Sequence, residues 1–264
     1  MIQIGIIGFG TITKQLISLL SKEEVNVGGI LVRDKEKAEM NSDISLPFTD
    51  DPDQFFSNNF DYVVEAAGHE AVKTYSSRIV KNSNVIIVSV GSLADPEFLN
   101  HLQDKAAANN KQIIVPSAAI GGLDRVAAGA MGEITQVKLI TKKPPKAWYG
   151  TVIEQEYDLP SITEPLLVFS GFARESAVKF PENVNVSAAL SLAGIGFEKT
   201  EVDVYVDPSI DQNIHEIYIE GLFGSTKIEV QNTPSPHNPK TGYIVAMSIA
   251  KVLHGYTRPL VMGI

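Results

Sequence analysis

The sequence predicts an α/β protein: a doubly wound parallel sheet, followed by a second α+β domain built on an open mixed or antiparallel sheet. Three observations carry this. The chain opens on an apolar strand that runs into a glycine turn and a helix, from Ile2 to Thr13. Strand-like and helix-like segments then alternate as far as Val115. Beyond Thr200 three strand-like segments follow one another without helices between them. Alternation gives βαβ units with right-handed crossovers, whereas strands joined by short connections pair antiparallel.

In order, Ile2 to Ile7 suits the central strand of a parallel sheet, covered on both faces. Gly8 and Gly10 let the backbone turn tightly, and Thr11 and Ile12 open a helix that reaches Leu20. Val25 to Val32 is a second strand, ending at Arg33-Asp34. Asp61 to Ala67 and Val85 to Val90 are further strands, separated by a helix after Gly68-His69-Glu70. Asp95-Pro96 is a helix start, a capping acid with proline at the first helical position, and Gln112 to Val115 is the next strand. The pattern changes at Pro116-Ser117-Ala118-Ala119-Ile120-Gly121-Gly122. There the chain leaves a first domain of residues 1–118 plus 239–264 for a second of residues 119–238. In the second, Gln136 to Thr141 is a strand, Lys142 to Trp148 a cationic, proline-stiffened segment, and Asn183 to Ala193 a helix. Thr200 to Val206, Ile214 to Glu220 and Thr226 to Gln231 are strands, and Thr241 to His254 has helical spacing that returns to the first domain.

The 264 residues are 44% apolar and 20% charged, the composition of an ordinary globular protein, with a net charge of -9 that disfavours nucleic acid or an anionic membrane as partner. The absence of cysteine excludes disulfides, thiolate nucleophiles and thiolate metal sites. No basic leader and no long apolar stretch is present, so the expected location is the cytoplasm. No pair of histidines has metal-ligand spacing, and no metal is expected.

The opening strand, turn and helix present Gly8, Gly10 and the amides of Thr11 and Ile12 to a dinucleotide pyrophosphate. The third glycine of that fingerprint is replaced by Thr13. Asp34 suits the ribose hydroxyls of NAD and Arg33 the 2′-phosphate of NADP, so both cofactors stay open. Ala67, at the end of a strand, is a further cofactor contact. His215 is singled out by strand periodicity, because it shares a face with Ile217 and Ile219 and a buried imidazole must bond to a structural partner or to a ligand. Lys142, Lys143 and Lys240 are candidate carboxylate partners, each also readable as a solvated surface charge.

Over nearly its whole length the chain resembles the L-aspartate dehydrogenase family. The resemblance is carried by Gly8-Phe9-Gly10, Ser89 to Asp95, Pro116 to Asp124, Lys143 to Trp148, Phe180 to Ala189, Asp207-Pro208, His215 and Asn238 to Thr241. It implies oxidative deamination of L-aspartate with NAD or NADP, a catalytic His215, cofactor contacts at Ala119 and Asn185, and a homodimer covering the open sheet. Ala118 stands where the family tends to have glycine. The alternatives are a related two-domain reductase, resembling homoserine dehydrogenase or dihydrodipicolinate reductase, and a dinucleotide sensor without turnover.

Overall fold

The computed structural model describes residues 1–180, 184–235 and 238–263, with the backbone alone for 234, 235 and 238–241. The chain forms two compact units, Met1–Ala118 with Ile244–Ile264, and Ala119–Tyr243.

The first unit runs β1 (Ile2–Ile7), α1 (Thr11–Leu19), β2 (Val25–Leu31), α2 (Lys35–Met40), β3 (Phe48–Thr49), α3 (Pro52–Phe56), β4 (Tyr62–Glu65), α4 (His69–Ile79), β5 (Asn84–Ile87), α5 (Pro96–Ala108) and β6 (Ile113–Ile114). Its sheet has the order β3-β2-β1-β4-β5-β6 and every neighbouring pair is parallel. The order reverses between β1 and β4, which puts the topological switch point beside the first glycine turn. Ile4 and Ile6 of β1 are buried together with Ile30, Val64 and Ile86. Glycine inside β1 and β2 has a packing reason: a Cβ at Gly5 would lie 2.7 Å from the Phe55 ring, and one at Gly29 would lie 3.0 Å from Phe60. Asp95 caps α5 as expected, accepting from the amides of Glu97 and Phe98.

The second unit runs α6 (Leu123–Gly129), β7 (Ile134–Lys143), α7 (Val152–Glu156), β8 (Leu166–Phe172), α8 (Ala173–Lys179), α9 (Val184–Ala193), β9 (Glu201–Val206), β10 (Asn213–Gly221), β11 (Gly224–Asn232), β12 (Pro234–Ser235) and β13 (Asn238–Gly242). Its five-stranded sheet has the order β11-β10-β7-β9-β8 and is mixed, since β7 and β9 are parallel and the other pairs antiparallel. The three late strands are therefore not consecutive neighbours, because β7 lies between β9 and β10. Residues 207–212 suffice for this, since six extended residues reach up to roughly 20 Å and crossing one strand needs only about 10 Å. Helix α9 packs against the face of β7 that carries the buried Val137 and Leu139, and Gly194 lets it approach Val137. On β11 the opposite face, with Ser225, Lys227, Glu229 and Gln231, is exposed.

The last helix, α10 (Ile244–Gly255), belongs to the first unit and buries Ala246, Ile249 and Leu253 in the same core as β1. It starts three residues later than its spacing predicts. Among the described residues no helix is long and apolar enough to cross a membrane.

Candidate active site

In the first unit the turn after β1 is locked from three sides. Gly8 has φ 99°, and a Cβ there would lie 2.7 Å from the Ala66 carbonyl oxygen and 2.9 Å from the Ala67 Cβ, so the turn rests directly on the loop after β4. The Gly8 amide donates to the Leu31 carbonyl at 2.9 Å. Thr13, fully buried where a third glycine was looked for, donates its hydroxyl to the Gly8 carbonyl at 3.0 Å. The hydroxyl thus ties helix to turn where a glycine would have allowed closer packing. Gly10 precedes α1 with open space around its Cα, and Thr11 and Ile12 follow as the first residues of the helix. An anion at this N-terminus meets backbone amides and the positive end of the helix dipole.

Sequence reading missed Glu65. It ends β4 with 1% of its surface exposed, and its carboxylate accepts four hydrogen bonds. Oε1 takes the amides of Ala67 at 2.8 Å and Gly68 at 2.7 Å and the Ser89 hydroxyl at 3.0 Å; Oε2 takes the Ser89 amide at 3.0 Å. One side chain therefore fixes the loops after β4 and β5 at the switch point, including Ala67. The visible signal was an acid closing the apolar run Val63-Val64. Asp34 and Arg33 are exposed beyond the end of β2. Asp34 accepts from the Lys37 amide at 2.9 Å, so one of its oxygens caps α2. Strand ends, glycine turn and helix N-terminus together form a cradle that fits a dinucleotide.

In the second unit His215 lies on β10, 6% exposed, directly opposite Thr141 of β7. Its Nδ1 is 3.1 Å from the Thr141 hydroxyl, and among the described residues no hydrogen bond reaches Nε2. Burial, and secondarily the positive charge of Lys143, push the imidazole down to about 3, so the ring is neutral at physiological pH. Lys143 is in phase with Thr141 along β7, and its ammonium stands 5.2 Å from the centre of the Trp148 ring.

Lys142 is out of phase with Thr141 and lies on the other face of the sheet from His215. Its ammonium pairs with Glu216 at 2.5 Å, and Glu216 also pairs with Lys227 at 3.2 Å. Burial of Glu216 opposes its ionisation, but the hydrogen bonds from Lys142 and Lys227 outweigh this and hold its carboxyl below the usual range. Strand alternation thus separates two lysines that the sequence offered as a pair. Lys240 falls in β13, and its side chain lies outside the described residues, as do Asn183 and His237. Asn185 is exposed in the first turn of α9. The Ala119 carbonyl accepts from Asn232 at 2.8 Å. Asn232 is paired with Asn213, and a Cβ at Gly121 would lie 3.8 Å from Val230, the residue paired with His215. The segment from Ala119 to Gly121 therefore sits at the His215 end of β10 and β11. Ala118 has φ 49°, the left-handed conformation that makes glycine the easier residue there.

The sequence profile of the aspartate dehydrogenase C-terminal domain matches residues 124–256, and that of the NAD binding domain of homoserine dehydrogenase matches residues 8–116. The chain is 37% identical over 250 residues to an L-aspartate dehydrogenase of Acinetobacter baumannii, covering 93% of this chain and 94% of that one. It is 36% identical to an L-aspartate dehydrogenase of Methanosarcina barkeri over 275 aligned positions that span both chains in full. Among solved structures it is similar to the aspartate dehydrogenase of Thermotoga maritima, with a TM-score of 0.80, 28% identity and 99% of each chain covered. A hyperthermophilic archaeal homoserine dehydrogenase in complex with NADPH shares the fold, with a TM-score of 0.60 at 15% identity and 99% of each chain covered.

Proposed function

The chain belongs to the aspartate dehydrogenase family, and from that premise we propose that it is a pyridine-nucleotide-dependent L-aspartate dehydrogenase with His215 as its acid/base. A bound nicotinamide supplies the redox step by accepting the α-hydride of L-aspartate. The protein's own residues then have three tasks.

The first is to hold the dinucleotide, and the turn from Gly8 to Ile12, the loop at Ala67, Ala119 and Asn185 take this role. Asp34 keeps one carboxylate oxygen for ribose hydroxyls, which suits NAD, and Arg33 beside it suits the 2′-phosphate of NADP, so the cofactor is NAD or NADP. The second is to neutralise the substrate's carboxylates. Lys143, on the His215 face of β7, suits this better than Lys142, which lies on the opposite face.

The third is proton exchange. Loss of hydride from the α-carbon leaves an iminium. His215, neutral and with Nε2 unbonded, takes the proton from the nitrogen to give iminoaspartate, or takes it from the water that hydrolyses the imine to oxaloacetate and ammonia. Kinship along the whole chain together with this one buried, neutral imidazole is the observation that supports the reading. The exposed sheet face, which carries both Lys227 and Glu229, is the proposed surface of a homodimer. The proposed location is the cytoplasm.

The test is to incubate the purified protein with NAD or NADP and a panel of amino and hydroxy acids, following reduced nicotinamide. Signal with L-aspartate alone supports the reading. Signal with homoserine instead, or tight dinucleotide binding with no turnover, overturns it. His215→Ala lowers kcat by roughly a hundredfold or more while dinucleotide affinity is kept.

A further inference from the structure

We propose that Thr141 is a positioning residue: its hydroxyl, 3.1 Å from Nδ1 across the β7–β10 pair, offers an Nδ1–H its acceptor and so lets the His215 ring take the tautomer that presents Nε2 as an unprotonated base. This rests on the reading of His215 as the acid/base, and the experiment below separates the two.

On one side of this pair the buried face of the sheet is apolar, and on the other it carries Lys143 of β7 and Asn213 of β10. β7 contributes Val137 and Leu139, β10 contributes Ile217 and Ile219, and β9 contributes Val202, Val204 and Val206. The Thr141 hydroxyl stands directly opposite the His215 imidazole. Thr141 is 7% exposed, and among the described residues its hydroxyl has His215 as its one hydrogen-bond partner. Threonine also suits the task locally, since its branched Cβ holds χ1 stiffly in a strand.

The chemistry of the partner matters as much as its position. A carboxylate at this place would stabilise the imidazolium, whereas a hydroxyl orients the ring without adding charge. When Nδ1–H is donated to Oγ1, the lone pair is left on Nε2. Nε2 then takes one proton from the substrate nitrogen or from the attacking water, and the imidazolium so formed keeps its Nδ1–H bond to Thr141 until Nε2 returns the proton to solvent. Without the hydroxyl, Nδ1–H would be buried with no acceptor, so the ring moves its proton to Nε2 and ceases to be a base there.

The test compares Thr141→Val, which keeps the shape, with Thr141→Ser, which keeps the hydroxyl. Thr141→Val should lower kcat by about 10- to 100-fold, with KM for the dinucleotide unchanged, and Thr141→Ser should restore most of it. Nitrogen-15 NMR of the histidine rings reads the tautomer directly: His215 protonated on Nδ1 in the native protein and in Thr141→Ser, and on Nε2 in Thr141→Val. If Thr141→Val does not fold, Thr141→Ala set against Thr141→Ser gives the same contrast. Unchanged kcat and tautomer in the hydroxyl-free variant overturn the proposal. If His215→Ala is fully active, the acid/base reading fails and the inference falls with it; a His215→Ala loss without a Thr141→Val loss overturns the Thr141 role alone.

Discussion

Glu65→Gln tests whether the cofactor cradle depends on one buried carboxylate. The amide has a single oxygen. Set in the place of Oε1 it still accepts from the Ala67 and Gly68 amides and the Ser89 hydroxyl, but its NH2 then faces the Ser89 amide, donor against donor. Losing that charge-assisted bond costs about 1.5–3 kcal/mol, and the three remaining bonds weaken by roughly 0.5 kcal/mol or more each once the charge is gone. The smaller desolvation of an amide offsets part of this, which leaves about 2–4 kcal/mol of destabilisation. Urea unfolding followed by circular dichroism measures it. The loops after β4 and β5 lose their common anchor, so dinucleotide Kd should also rise at least about tenfold, equivalent to 1.4 kcal/mol. A variant within about 0.5 kcal/mol of the native protein that binds dinucleotide equally well would refute the assignment.

Two further outcomes follow from single residues. The His215 imidazole is held near 3, against 6.5 when unfolded, so between these values only the unfolded chain binds the proton and stability falls as pH drops below about 6.5. Relative to His215→Gln, the native protein should lose about 2 kcal/mol more between pH 8 and pH 5; urea unfolding at both pH values checks this, and a difference that stays constant contradicts it. Ala118→Gly relieves a left-handed alanine worth about 1–2 kcal/mol but adds unfolded-chain entropy of roughly 0.5–1 kcal/mol, so a small net gain is expected. A lowered melting temperature would show that φ 49° is not strained.

The sequence made most of the first unit legible because β1, β2, β4 and β5 are apolar runs with glycine or capping signals at their ends. It did not reveal β3, whose two residues Phe48–Thr49 lie in a polar stretch. Nor did it reveal β8, an edge strand whose Leu167 and Phe172 are 45% and 46% exposed and so break the alternation that marks a half-buried strand. At the site, period-two spacing picked out His215. The same spacing, applied to β7, separates Lys143 from Lys142, a signal present in the sequence but unused. Thr141 and Glu65 needed more than spacing. Thr141 matters through the register of two strands far apart in the chain, and Glu65 through loops that only the folded sheet brings to one carboxylate.

The segment Ile244–Ile264 completes a unit otherwise made by Met1–Ala118. During synthesis β1 therefore leaves the ribosome long before α10, and Ile4 and Ile6 wait for Ile249 and Leu253 while all of Ala119–Tyr243 is translated. The nucleotide-binding half, though encoded first, is the last to close its core, and a nascent or prematurely terminated chain leaves uncovered the apolar patch on which α10 packs, which invites chaperones or aggregation.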